Sequence, residues 1–173
     1  MSDRSDAQAV LVTGSYGAGK TSVIEELAEI FEERGTRYAA IDLDWLAWFD
    51  PGSPDHAAAE PTMLRNLDAV AGNYYATGVR AFALAGTMNH DQEIGRVQEA
   101  LAMPMATVRL EVPIDVIEQR LSSSVTSGRQ VDLTMAREWF ERGTTEHIGD
   151  FVIRNDDRPI RDVAFEILDT LAW

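Results

Sequence analysis

The chain has 173 residues, 45% hydrophobic and 25% charged, which are the proportions of a soluble globular protein. Its 29 acidic and 15 basic residues leave a formal net charge of −14, which disfavours the broad basic face that nucleic acid requires. Cysteine is absent, no run approaches ~20 apolar residues and MSDRSDAQ carries no signal-peptide pattern, so a cytoplasmic single domain over residues 1–173, with no membrane partner, is the expectation.

Residues 1–8 read as a short disordered lead. Ala9–Thr13 (AVLVT) is a short apolar run with β-branched residues, read as a buried strand that glycines then break. From about Lys20 to Arg34, Val23, Ile24, Leu27, Ile30 and Phe31 recur at helical spacing, and Gly35 stops the helix. Tyr38–Leu43 (YAAIDL) reads as a second strand, and Phe49–Asp55 (FDPGSPD) as a loop. A helix follows from near Pro61 to Tyr75, then a third strand at Val79–Ala85. Asn89 is expected to cap a helix reaching Leu101, with Gln92 completing a capping box. Ala106–Val112 is the fourth strand, and Pro113 opens a helix containing Val116, Ile117 and Leu121. Ser122–Arg129 reads as a polar loop before a helix around Leu133–His147, a strand near Phe151–Arg154 and a last helix from Ile160 to Leu171. Strands alternating with helices imply an α/β fold on a mainly parallel sheet.

The most specific motif is Gly14–Thr21 (GSYGAGKT), a full match to G-x-x-x-x-G-K-[ST] between a strand and a helix. Glycines there let the backbone approach phosphates and aim successive N–H groups at them, and the following helix adds the positive end of its dipole. Gly14, Ser15, Tyr16, Gly17, Ala18, Gly19, Lys20, Thr21 and Ser22 are therefore expected to hold ATP or a related triphosphate. Lys20 reaches for the β- and γ-phosphates, and the Thr21 hydroxyl is expected to ligate Mg²⁺. Fourteen of the fifteen basic residues are arginine, so the only lysine stands where a slim point charge fits and a guanidinium fork does not. That single lysine also excludes an N-K-x-D guanine motif, and with it the usual GTP switch.

Ile41–Asp44 (IDLD) ends the second strand with two carboxylates on alternate residues, which an extended chain points to one side. Strand C-termini of a parallel sheet open on the ligand-binding edge. Asp44 is then a candidate general base for an attacking hydroxyl, and Asp42 a candidate holder of the metal. The alternative is that Asp44 caps a short helix beginning at Trp45 and Asp42 is a hydrogen-bonded strand-end residue.

The P-loop, the Asp-x-Asp and a late Arg-Leu…Gly-Arg segment together resemble the small P-loop kinases. In pattern the chain is similar to adenylylsulfate kinase, chloramphenicol phosphotransferase, the zeta-toxin sugar-nucleotide kinases and gluconate kinase. The resemblance implies a three-layer α/β/α sandwich on a five-stranded parallel sheet of order 2-3-1-4-5, and Mg²⁺-dependent transfer of the γ-phosphoryl of ATP to a hydroxyl of a small acceptor. It makes residues 118–130 a lid, in which Arg120 and Arg129 are candidate catalytic arginines closing over the phosphates. Ser124 stands where the family carries a further arginine, and either arginine can equally be a surface helix residue. The resemblance also places Asn155 and Asp156 at the adenine, largely through backbone groups, with Arg158 nearby. A turn and helix cap suits the same residues.

The acceptor is expected between the second strand and the next helix. Trp45, Trp48, Phe49, Tyr74 and Tyr75 are candidates to stack on a planar substrate, with core packing as the alternative. Arg65 and Asn66, and beyond the third strand His90 and Asp91, are candidates for polar contacts. His56, His90 and His147 are too dispersed to suggest a metal cluster. No acidic residue follows the third strand directly, which weakens a motor ATPase reading. An ATP-binding regulatory module without acceptor phosphorylation is the competing class. Neither the acceptor nor the oligomeric state is legible.

Overall fold

The structure is a computed structural model that describes residues 4–50, 52, 58–122, 127–143 and 148–173; the side chains of 127–129 and 142 fall outside that description. Its elements run β1 (Gln8–Thr13), α1 (Lys20–Glu33), β2 (Tyr38–Asp42), α2 (Leu43–Leu46), α3 (Ala59–Ala76), β3 (Ala81–Ala85), α4 (Asp91–Leu101), β4 (Met105–Glu111), α5 (Ile114–Ser122), α6 (Ser127–Arg142), β5 (Phe151–Arg154) and α7 (Ile160–Leu171). The five strands form one sheet in the order β2-β3-β1-β4-β5. Every neighbouring pair is parallel, with β1 at the centre and register Val10↔Ala83 on one side and Val10↔Ala106 on the other. The α/β expectation and the strand order both hold.

Alternation along the strands divides the core into two layers. Val10, Val12, Ala83, Val108 and Leu110 face α1 and α7, where Val23, Leu27, Ile30, Val163 and Ile167 are buried. Leu11, Ile41, Phe82 and Leu84 face α3 and α4, against Leu67, Ala71, Val97 and Leu101. Each fully buried Leu, Ile or Val side chain contributes about 1.5–3 kcal/mol of transfer free energy. Among the described residues no helix is long and apolar enough to cross a membrane.

Four expectations need correction. The lead is not disordered over residues 4–8. Arg4 is buried, donates to the Leu101 carbonyl at 2.8 Å and pairs with Asp68 at 2.8 Å, and Ala7 is packed in the core. A polar sequence without periodicity hid these non-local bonds; residues 1–3 lie outside the described set. The second strand ends at Asp42, not Leu43, because the Asp42 carboxylate accepts from the Asp44 N–H at 3.0 Å and turns the chain into α2. At α4 the N-cap is His90, and Glu93 rather than Gln92 accepts from the Asn89 N–H, at 2.6 Å. Finally, α6 begins at Ser127, so Ser127, Gly128 and Arg129 are helical rather than loop. That first turn lacks an apolar stripe because the helix is held further along, by buried Ala136 and Trp139 and an Arg137–Glu118 pair to α5 at 2.8 Å.

Candidate active site

The turn between β1 and α1 lies on the C-terminal edge of the sheet, and its glycines are required by geometry. Gly14 has φ 142°, and a Cβ there would meet the Leu110 carbonyl oxygen at 2.8 Å. Gly19 has φ 90°, and a Cβ there would meet Asn155 Nδ2 at 2.7 Å. Gly19 is also the N-cap of α1, and no side chain caps that end. The first turn carries no carboxylate. Backbone N–H groups and the positive end of the α1 dipole therefore open on the adjoining cleft, an arrangement suited to an anion.

Lys20 is buried at the start of α1, with its ammonium donating to the carbonyls of Gly14 at 3.3 Å and Ser15 at 3.0 Å. The Tyr16 ring lies 5.4 Å below it. Burial pushes the lysine down to about 8, opposed by the nearby carboxylates of Asp44, Asp42 and Asp132. A triphosphate at this position would favour the charged form, so its binding near pH 8 would be coupled to proton uptake.

Thr21 Oγ1 donates to Asp42 Oδ2 at 2.7 Å, while the other carboxylate oxygen caps α2. Asp42 thus ties the P-loop to the end of β2. Asp44 reaches the same cleft from the first turn of α2, not by strand alternation, because the chain is already helical there. Asp44 does not cap a helix beginning at Trp45, since Asp42 caps one beginning at Leu43; Asp42 is, as the alternative expects, a hydrogen-bonded residue at the strand end. The Asp44 carboxyl is held above the ordinary aspartate range, chiefly by burial among cleft groups, then by the Asp42 carboxylate. Lys20 opposes that shift, and Asp132 adds to it.

Asp132 is the residue that sequence reasoning missed. It lies on α6 and lines the cleft with Asp42, Asp44 and Lys20. The turn of α6 that brings it there was read as loop up to Arg129, and no spacing linked it to the aspartates 88 and 90 positions earlier.

The cleft holds about 880 Å³, and its walls include Tyr16, Gly17, Gly19, Thr21, Ser22, Trp45, Trp48, Arg120, Asn155 and Arg158 besides the charged groups above. Arg120 belongs to this wall, but its guanidinium donates to the carbonyls of Asn155 at 2.8 Å and Asp156 at 2.9 Å. It binds the loop after β5 in this arrangement, and those two carbonyls accept from it. The buried Asn155 side chain donates to the Ala18 carbonyl at 2.7 Å and so braces the phosphate loop from behind. Arg158 pairs with Glu166. Arg129 lies in the first turn of α6, and its side chain is outside the described residues, as are His56, His147 and Ser124.

Several acceptor-side candidates lie elsewhere. Tyr75 bonds Asp6 and stacks on Arg80, at the opposite edge of the sheet, because α3 runs back from the cleft to the start of β3. Arg65 donates to Thr62 Oγ1 at 3.0 Å and Asn66 to the Leu46 carbonyl at 2.9 Å; neither lines the cleft. His90 and Asp91 open α4 and do not line it either. Among the described residues no three His, Cys, Asp or Glu side chains are grouped to hold a metal. The hard oxygens of Thr21 and Asp42, already 2.7 Å apart, nonetheless fit Mg²⁺, which takes few protein ligands and completes its shell with phosphate and water.

No family model and no curated protein matches the chain in sequence. Solved structures do match it in shape. A sugar kinase from a Janibacter species is similar with TM-score 0.67 and 19% identity, over 96% of this chain and 95% of that one. An APS kinase from Mycobacterium tuberculosis, in complex with AMPPNP and APS, is similar with TM-score 0.63 and 18% identity, over 98% and 99%. A shikimate kinase from Acinetobacter baumannii, in complex with shikimate, is similar with TM-score 0.61 and 20% identity, over 96% and 93%. With the sheet order and the phosphate loop between β1 and α1, these likenesses show that the chain has the fold of the small P-loop kinases.

Proposed function

We propose that this protein is an ATP-dependent small-molecule kinase, transferring the γ-phosphoryl group to a hydroxyl of a small acceptor. The observation that carries the reading is the placement of the P-loop lysine and two carboxylates, Asp42 and Asp44, on one cleft of about 880 Å³. In the reaction the acceptor oxygen bonds the γ-phosphorus, the bond from that phosphorus to the β–γ bridging oxygen breaks, and ADP leaves. The acceptor hydroxyl proton passes to Asp44, whose raised pKa moves it towards the strength a general base needs. Backbone N–H groups of the loop from Gly14 to Gly19 hold the phosphates, and Lys20 offsets charge on the transferred group. Arg120 and Arg129 add to this once the α5–α6 segment closes, a step in which Arg120 exchanges the Asn155 and Asp156 carbonyls for phosphate oxygens. Asn155 supports the loop and lines the cleft, and the Asp156 backbone beside it would meet the adenine. Thr21 and Asp42 would hold Mg²⁺, which would supply charge neutralisation at the phosphate oxygens. The lack of cysteine fits a cytoplasmic setting, and the net charge of −14 a small-molecule rather than nucleic-acid partner.

Coupled ADP release, screened with MgATP against nucleosides, nucleotides, sugars, sulfonucleotides and hydroxylated antibiotics, tests this reading. An acceptor that accelerates turnover is expected, with Asp44→Ala lowering the acceptor-dependent rate by about 10²–10⁴. Unchanged transfer in that variant removes Asp44 as the base. A second reading, an ATP-binding regulatory module, is favoured by the engagement of Arg120 with backbone carbonyls. Slow turnover that no acceptor accelerates would select it.

A further inference from the structure

Beside Asp44 the cleft carries a feature that phosphoryl transfer itself does not require. Trp45 and Trp48 are 66% and 75% exposed, yet both line the cavity. Their ring centroids are 4.7 Å apart with planes tilted by 36°, so the two indoles form one apolar surface. That surface is held in place. Leu43 is buried and anchors α2 in the core, and Asn66 on α3 donates to the Leu46 carbonyl at 2.9 Å. Large indoles left open on the wall of a polar cleft, one on the anchored α2 and the other two residues past its end, mark a surface built for contact. Their faces favour flat rings and cations.

Charge narrows the partner. Among the described residues the cleft's cations are Lys20, Arg120 and Arg158, against Asp42, Asp44 and Asp132. Lys20 belongs to the phosphate loop, Arg120 holds the loop after β5, and Arg158 pairs with Glu166. None of the three comes from α2, the turn that follows it or α3, which carry and support the indoles. The charged group next to the platform is Asp44. An acceptor phosphate or carboxylate there would face the Asp44 carboxylate, and the cation that acts on Asp44, Lys20, is engaged by the phosphate loop, which selects against it.

We propose that the acceptor is an uncharged or cationic hydroxyl compound with a flat ring, nucleoside-like in shape, that stacks on Trp45 and Trp48 and presents its hydroxyl to Asp44. The inference rests on the phosphotransfer reading and names the substrate class of that site.

Matched pairs test it: thymidine, cytidine and pyridoxine against their phosphate monoesters, and shikimate and gluconate as carboxylated alcohols without an aromatic ring. Binding is measured calorimetrically on the full chain with MgAMPPNP, and transfer by ADP release with MgATP. Uncharged ring compounds are expected to bind roughly ten-fold or more tightly than their monoesters. Trp45→Ala and Trp48→Ala are each expected to weaken that binding roughly ten-fold, and Trp→Phe at either position to restore most of it. Circular dichroism and thermal midpoints confirm that the variants fold. Tighter binding of the monoesters, binding indifferent to the alanine variants, or no binding by any ring compound overturns the platform. Transfer to shikimate or gluconate that ignores both alanine variants keeps the kinase and overturns the platform. Tryptophan-dependent binding of the uncharged rings without transfer keeps the platform and overturns the kinase.

Discussion

Replacing Lys20 by methionine is expected to stabilise the empty protein while abolishing its response to nucleotide. The ammonium is buried, and burial lowers its pKa from the ordinary 10.5 to about 8. At ~1.4 kcal/mol per pH unit, the charged lysine costs the fold about 3 kcal/mol below pH 8. Methionine of similar length removes that cost. It also removes the hydrogen bonds to Gly14 and Ser15, which offset the gain by about 1–2 kcal/mol. At pH 7 the variant should therefore be about 1–2 kcal/mol more stable in urea, or roughly 2–8 °C higher in thermal midpoint. The pH dependence follows from a folded pKa that lies below the unfolded one. Below about 8 the lysine is charged in both states and the cost is fully present. Between about 8 and 10.5 the folded chain releases the proton while the unfolded chain keeps it, so the parent protein gains stability as pH rises. The advantage of Lys20→Met should shrink across that window and turn into a deficit of about 1–2 kcal/mol above it, where the hydrogen bonds to Gly14 and Ser15 are lost with no charge cost relieved. Saturating MgATP should reverse the order, since ligand at ~100 times its Kd adds about 2.7 kcal/mol to the parent alone. A variant less stable than the parent at pH 7, or a gap that stays constant from pH 7 to 10.5, would refute the burial argument.

Two further expectations test other parts of the molecule. Asp132→Asn removes a carboxylate facing the phosphate site and should tighten MgATP binding a few-fold at low salt, with a smaller effect at high salt. Weaker binding in calorimetry would mean that Asp132 assists the nucleotide instead. Arg4→Ala should cost roughly 2 kcal/mol in chemical denaturation, because it strips the Leu101 carbonyl and Asp68 of their buried partner. An unchanged midpoint would restore the reading of a structureless lead.

The sheet was legible because a parallel strand buried on both faces leaves a continuous apolar run. Val10, Leu11 and Val12 in β1 and Phe82, Ala83 and Leu84 in β3 all show it. Elements at the edges were read less well. The start of α6 carries Ser127 and Gly128, which disfavour a helix by themselves, and it is settled by contacts further along the helix. Asp42 and Asp44 were found for a partly wrong reason: strand alternation predicted a shared direction, whereas a helix cap and a helical first turn provide it.

The phosphate loop was determined by the sequence alone, because its function resides in local backbone geometry that glycine, lysine and threonine encode at fixed spacing. What tertiary structure decided is everything that depends on register between distant elements. Only the fold shows that Asn155 braces the P-loop across 137 residues, that Arg120 holds the loop after β5, and that Asp132 joins the two aspartates. Tyr75 and Trp45 were equivalent aromatics in the chain. The direction of α3 sent one to the far edge of the sheet, and the cap at Asp42 left the other on the wall of the cleft.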